Sequence, residues 1–345
     1  MDDLEVDALE SELPNTPQRE TDRCQELALS AELSPTSFRS TLQTYLHAAT
    51  SDSTRTAYRS AIRQFEKWGG RLPTDSQVLV RYLINRSEAV NPRTLELHLT
   101  AIGQWHLYQG MTNPAADPVV RKTINGIRRL RGRPKQKAKA LRPEHIAAMA
   151  QTIRALPDSK KSRRDLALVL IGYFGAFRRS ELVAIQVEDL HWEDEGVIVR
   201  IPRSKTDQQG QGMSRALPFG PDSVCPATAL RGWLDCTGTK EGPVFRSINR
   251  WDQVQTTQLG AGSVNTLLKK LGTDCDFDFV DTLSSHSFRR GMSTSAAREK
   301  VEFELIKKQG GWKSDATVRE YIDEGRRFTD NATHILMQKM AALLD

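Results

Sequence analysis

The chain has 345 residues, 38% of them hydrophobic and 27% charged, which suffices for two ordinary domains with real cores. No stretch approaches the run of about eighteen apolar residues that a membrane span needs, and the opening "MDDLEVDALE" lacks the basic and apolar regions of a signal peptide, so neither a membrane partner nor secretion is expected. The net charge of +6 hides an asymmetry: the first 35 residues carry ten acids against only Arg19 and Arg23, which leaves the remainder at +14 and points to a polyanionic partner, with nucleic acid the leading candidate.

Residues 1–36 are acidic and broken by Pro14, Pro17 and Pro35; with little to bury, they read as a disordered tail. From Ser37 the period changes. "STRTAYRSAIRQFEKWGG", "TDSQVLVRYLINRSE" and "PRTLELHLTAIGQWHLYQG" space apolar residues three and four apart between Gly, Pro and Asn stops, which predicts a small helical domain over 37–130. Tyr58, Tyr82, Tyr108 and Tyr173 fall on apolar helical faces and read as packing residues, as does Tyr45. Cys24, Cys225, Cys236 and Cys275 lack CxxC spacing and read as reduced thiols of a cytoplasmic protein, nucleoid-associated if its host is prokaryotic, with no metal site.

Between Arg121 and Arg142 lie ten basic residues and no acid: Arg121, Lys122, Arg128, Arg129, Arg131, Arg133, Lys135, Lys137, Lys139 and Arg142. Gly132 and Pro134 interrupt any helix, so the run is expected to hold an interdomain linker over 131–141 that lies along a phosphate backbone, each cation displacing a condensed counterion. A solvated linker or a nuclear-import signal has the same composition. The second half, 142–345, opens on a capped helix, "LRPEHIAAMAQTIRAL". It continues through "RRDLALVLIGYFGAFRRSELVAI" to a strand pair, "GVIVRIPRSKTDQQGQGMSRALPF", and is mostly helical afterwards.

Cutting a DNA phosphodiester without a metal motif requires fixed cations and donors around the non-bridging oxygens, a nucleophile, and an acid for the leaving group. Arginine suits the first role, because its planar fork is always charged and matches phosphate geometry. The sequence offers Arg178 in "GAFRRSELVAI" and Arg289 in "HSFRRG", each beside a second arginine. Taken singly, the candidates have ordinary readings. An Arg near Glu181 is commonly a surface ion pair, Trp312 a core residue, and Lys205 a solvated turn residue.

The order "FRRSEL", a lysine on the hairpin turn, "HSFR", "GGW" and a tyrosine nine residues after Trp312 resembles the tyrosine recombinase family, and within it the Cre-like members. The resemblance runs from about Ser37 to the C-terminus, loosely in the first helical segments and in register through the motifs. It implies a mainly α fold with a small β-sheet, arranged as a two-domain DNA clamp of a helical core-binding domain and a catalytic domain. It also implies site-specific recombination through a 3′-phosphotyrosyl intermediate and a Holliday junction, without ATP, Mg²⁺ or any other cofactor. Aligned residue by residue, Arg178, Glu181, Lys205, His286, Arg289, Trp312 and Tyr321 occupy the family's catalytic positions: Tyr321 as nucleophile, Lys205 as general acid, Glu181 as the orienting acid. Arg179 and Arg290 fall outside them. The implied partner is double-stranded DNA with an inverted-repeat site, bound by a homotetramer whose C-terminal helix, about 332–344, docks in a neighbour. A type IB topoisomerase, a telomere-resolving enzyme, and an inactive DNA-binding factor on the same fold share parts of this plan.

Overall fold

The computed structural model describes residues 49–134, 136–202 and 212–344. The acidic tail, Tyr45, Cys24, Lys135 and the hairpin tip with Lys205 lie outside them. The chain divides into two compact units at residues 135 and 136.

The first unit is built from helices α1 (Asp52–Trp68), α2 (Ser76–Arg86), α3 (Pro92–Tyr108) and α4 (Pro118–Arg131). Each begins where a short polar side chain meets an orphan amide: Ser51, Asp75, Asn91 and Asp117 accept from Thr54, Val78, Arg93 and Val119. Pro92 and Pro118 occupy first-turn positions that need no N–H donor. The apolar faces meet in one core around Phe65, Leu79, Leu83, Leu95, Ile102, Val120 and Ile124, where the Tyr82 hydroxyl is satisfied by His98 Nδ1 at 2.7 Å. Tyr108, expected to pack, is 57% exposed at the last residue of α3, where the helix has already left the core.

The basic run divides at the end of α4. Arg121 to Arg131 are helical, because Val120, Ile124 and Ile127 recur at helical spacing and seat α4 on the core. The helix ends at Arg131 and Gly132 leaves it with an extended backbone, so the first half of the run is a basic helix face.

In the second unit, α5 (Pro143–Ala155), α6 (Lys160–Phe174), α7 (Arg179–Ala184), α8 (Pro226–Thr237), α9 (Ala261–Asp274) and α10 (His286–Arg298) surround a core in which α6 is buried almost throughout. The predicted strand pair is present as β2 (Gly196–Ile201) and β3 (Met213–Pro218), antiparallel, with β1 (Leu190–Glu193) on the outer side of β2. A second sheet, β4 (Arg246–Ile248) with β5 (Val254–Gln258), stands where the sequence reads as mostly helical. Beyond α10 follow α11 (Phe303–Gly310), α12 (Asp315–Gly325) and α13 (Ala332–Ala341). No helix among the described residues is long and apolar enough to cross a membrane.

Candidate active site

Arg178 sits where the chain turns between two helices. After α6, Gly175 and Ala176 break the ladder, Ala176 at φ +46°, and Arg178 becomes the N-cap of α7. Three residues on, Glu181 turns back on it. One carboxylate oxygen accepts from the Arg178 amide at 3.0 Å and the other from its guanidinium. Burial alone would raise the Glu181 carboxyl, but the Arg178 amide and guanidinium, with help from Arg289, hold it below the ordinary range. The Arg178 side chain remains 19% exposed, whereas Arg179 is on the surface side of the turn.

Arg289 comes from the first turn of α10 and is buried. Its guanidinium donates to the Ala176 carbonyl and, at 2.9 Å, to the Gly310 carbonyl, so it ties the Arg178 turn to the end of α11. Burial, then the neighbouring Arg178, lowers its pKa to about 10, with Glu181 pulling the other way. Trp312 lies under it, the guanidinium carbon 4.7 Å from the indole centroid. Tyr321, on α12, meets the same indole with ring centroids 5.3 Å apart. Arg289, Trp312 and Tyr321 are thus in contact in one row, the indole and phenol rings tilted 49° to each other, and α12 is held by a small core of Ala297, Ile306, Trp312 and Val318.

The two glycines of "GGW" have separate physical reasons. A Cβ on Gly310 would fall inside the Trp312 ring, at 1.4 Å from its nearest atom. Gly311 adopts φ +60°, the left-handed cap of α11, and a Cβ there would stand 2.6 Å from a guanidinium nitrogen of Arg215.

Among the described residues the Tyr321 hydroxyl has no hydrogen-bond partner. Burial pushes the phenol above its ordinary value of 10.0, against the pull of Arg289 and Arg290. The neighbouring arginines favour the phenolate, but desolvation outweighs them. His286 is the first residue of α10, exposed and one turn before Arg289, with Ser285 as the helix cap.

Two features are not legible in the motifs. Arg290, which the motif alignment sets outside the site, forks onto the Glu324 carboxylate at 2.6–3.1 Å and donates to the Ala138 carbonyl at 2.6 Å, while Lys137 pairs with Glu320. The chain segment at 137–138 is therefore fastened to the helix that carries Tyr321. The second is Arg215, buried on β3, whose guanidinium reaches the Gln309 carbonyl just before "GGW". Its signal lies in the alternation of "MSRALPF", which puts a charge at an inward position between Met213 and Leu217.

Of the seven expected catalytic residues, the structure brings Arg178, Glu181, Arg289, Trp312 and Tyr321 together, puts His286 on the helix of Arg289, and leaves Lys205 outside the described residues. The expected DNA-binding residues belong to the first unit. Arg121, Lys122, Arg129 and Arg133 are exposed; Arg128 and Arg131 keep much of their side chains in water and pair with Glu96 and Glu88. Chemically, the cluster in the second unit presents several cations against one buried carboxylate, beside a phenol. That arrangement suits an anion whose charge grows during reaction.

The comparisons with known proteins agree with one another. The pattern of the Phage integrase family matches residues 139–326. The "Integrase/recombinase xerD homolog" of Selenomonas ruminantium is 34% identical over 305 residues, covering 85% of this chain and 88% of that protein. Among solved structures, the XerH site-specific recombinase bound to difH substrate in a pre-cleavage complex is similar at a TM-score of 0.56, with 14% identity over 93% of this chain and 91% of the other. The Tn1549 transposon integrase in complex with transposon right end DNA gives 0.55, with 14% identity over 88% and 98%. A lambda integrase dimer bound to a COC′ core site gives 0.54, with 15% identity over 94% and 87%. At these identities the structural likeness is one of fold.

Proposed function

The chain belongs to the Phage integrase family, and from that premise we propose that it is a site-specific DNA recombinase that breaks and rejoins strands through Tyr321. The observation that carries this reading is the contact row of Arg289, Trp312 and Tyr321 beside the Arg178–Glu181 turn. A scissile phosphate seated between Arg178 and Arg289 would meet two fixed cations and approach the Tyr321 hydroxyl. The phenolic oxygen attacks phosphorus, the bond to the 5′ oxygen breaks, and a 3′-phosphotyrosyl ester forms. Lys205 protonates the departing 5′ oxygen and His286 supplies the acceptor for the phenolic proton. The free 5′ hydroxyl then attacks the ester on a partner duplex, which exchanges strands through a Holliday junction. Bond energy is kept in the ester throughout, so the exchange needs no external energy source.

Randomised duplexes carrying a nick near the centre test this directly. The nick lets the short cleaved fragment diffuse away and traps the ester. Adducts that survive detergent would yield the cleaved sequence and its inverted repeats. An absence of adducts across the whole library would leave a DNA-binding factor on this fold.

In the full reading the helical unit grips the same duplex, as one half of a two-domain clamp, which the basic face of α4 supports. Replacing Arg121, Lys122 and Arg129 together by Gln is expected to flatten the slope of log affinity against log salt by roughly 0.9 for each phosphate that is no longer neutralised. Filter binding across a salt series measures this. An unchanged slope would remove α4 from the interface.

We assign assembly to the C-terminal segment, and with it the Cre-like part of the reading. Phe328, Leu336, Met340, Leu343 and Leu344 are each at least 60% exposed, a row of apolar side chains that the unit does not cover itself. Leu343 and Leu344 lie just beyond the end of α13. A pocket on a second copy of the chain would cover them and link four protomers on two synapsed sites. Truncation after Asn331 is expected to leave single-site binding intact and to abolish the four-protomer complex in a native gel. Full-rate recombination by the truncated chain would return control to another surface.

A further inference from the structure

Arg215 is 1% exposed on an inward position of β3, paired in register with Val199 and followed two residues later by buried Leu217. A charge at such a position is costly to bury and persists only where it is well bonded. Its bonds are unusual. One terminal nitrogen donates to the Gln309 carbonyl at 2.6 Å and the Lys308 carbonyl at 3.3 Å, the other lies 3.7 Å from Met213 Sδ, and the fork stands 5.5 Å from the Phe177 ring centroid. Nε is buried without a partner. No carboxylate bonds to it among the described residues, although Glu181 lies near enough to stabilise its charge.

The carbonyls explain the residue. Lys308, Gln309 and Gly310 end α11, where the last carbonyls of a helix lack intrahelical donors and carry its negative pole. Arg215 takes the Gln309 carbonyl and shares that of Lys308 with the Gly311 amide, and Arg289 takes that of Gly310. Two arginines from different elements therefore hold one turn, and the next residues of that turn are Gly311, which leaves room for Arg215, and Trp312, which carries Arg289 and Tyr321. The Gln309 side chain adds a second tie, donating to the Phe174 and Ala216 carbonyls at 2.8 and 3.3 Å.

We propose that Arg215 is a positioning residue of the active site, which fixes the turn at 308–312 and through it the placement of Trp312 and Arg289. The inference rests on the recombinase reading. Without this grip the turn is free to shift, and a displacement of about 1 Å at reacting groups costs on the order of 10²-fold in rate.

The test uses the full chain and the nicked duplex recovered from the adduct selection. With wild-type protein and Arg215→Met at saturating DNA, the first-order rate of covalent adduct formation is expected to fall by about 10²-fold while the affinity for the duplex stays unchanged. Arg215→Lys, which keeps the charge but not the fork, should fall in between; it carries the test if Arg215→Met loses its cooperative thermal transition. A substrate with a 5′-bridging sulfur should rescue Lys205→Ala and leave the Arg215 variants slow, because their defect lies at the phosphate and not at the leaving group. Combining Arg215→Met with Trp312→Ala should cost little more than the worse single change. Wild-type rates in both Arg215 variants, sulfur rescue of those variants, or strict additivity with Trp312→Ala would each overturn the assignment. Failure of the wild-type protein to form any adduct would overturn the recombinase reading, and this inference with it.

Discussion

Tyr321→Phe is expected to bind the recovered duplex as tightly as the unaltered protein and to form no covalent adduct with it. The substitution is well placed to separate chemistry from folding. The ring keeps its packing on Trp312 and its seat beside Val318 and Ile306, and the hydroxyl that is removed has no hydrogen-bond partner among the described residues. No buried donor or acceptor is orphaned, so the cost in stability should be small. The loss in activity should be complete, because a phenyl ring has no atom able to attack phosphorus. Of the other described tyrosines, Tyr82 and Tyr173 are buried. Electrophoresis in detergent with labelled DNA measures the outcome. An adduct that persists in Tyr321→Phe would mean that the nucleophile is another residue, which a peptide map of the adduct would identify.

The raised phenol in the DNA-free protein bears on the same step. Since burial holds Tyr321 above its ordinary pKa, the neutral form prevails throughout the neutral range and attack must be coupled to proton removal. A group whose folded pKa is raised stabilises the fold below its unfolded value and loses that contribution as pH rises through the folded value. In the DNA-free protein the Tyr321 phenol is therefore neutral in the neutral range.

The motifs give the candidate residues in order along the chain, and the helical periodicity locates most of the helices. Proximity is not legible. Nothing in "FRRSEL" or "HSFRRG" says that Arg289 reaches the carbonyl of Ala176, because that bond depends on the break after α6 and a left-handed Ala. β4 and β5 escape for a different reason: they are three and five residues long, with no fully buried residue in either, so they carry little of the alternation that marks a half-buried strand. Arg215 is hidden in the opposite way. A charge on a strand ordinarily faces water, yet the neighbours of this one two residues away face the core.

After Tyr321, the largest loss is expected at Arg289, and Arg289→Lys separates its charge from its geometry. The lysine keeps one positive charge beside the phosphate but is a single ammonium on a flexible stem. It has no fork with which to hold the Ala176 and Gly310 carbonyls together, and it stacks less well on Trp312. The phosphate then lacks a directed donor, which by itself costs on the order of 10²–10³-fold in the chemical step. The Arg178 turn and the Trp312 turn are also without their common tie, so Arg178 is displaced as well. Single-turnover cleavage of the nicked duplex by Arg289→Lys should therefore fall by about 10²-fold or more, with DNA affinity held by the rest of the interface. Arg178→Ala should be comparably slow, and the double variant should be far less slow than the product of the two losses, because the first substitution already dislodges the second group. Multiplicative losses would show that the two arginines act independently. The bridge from Arg289 to the Ala176 carbonyl would then be structural only, with no part in setting Arg178 against the phosphate.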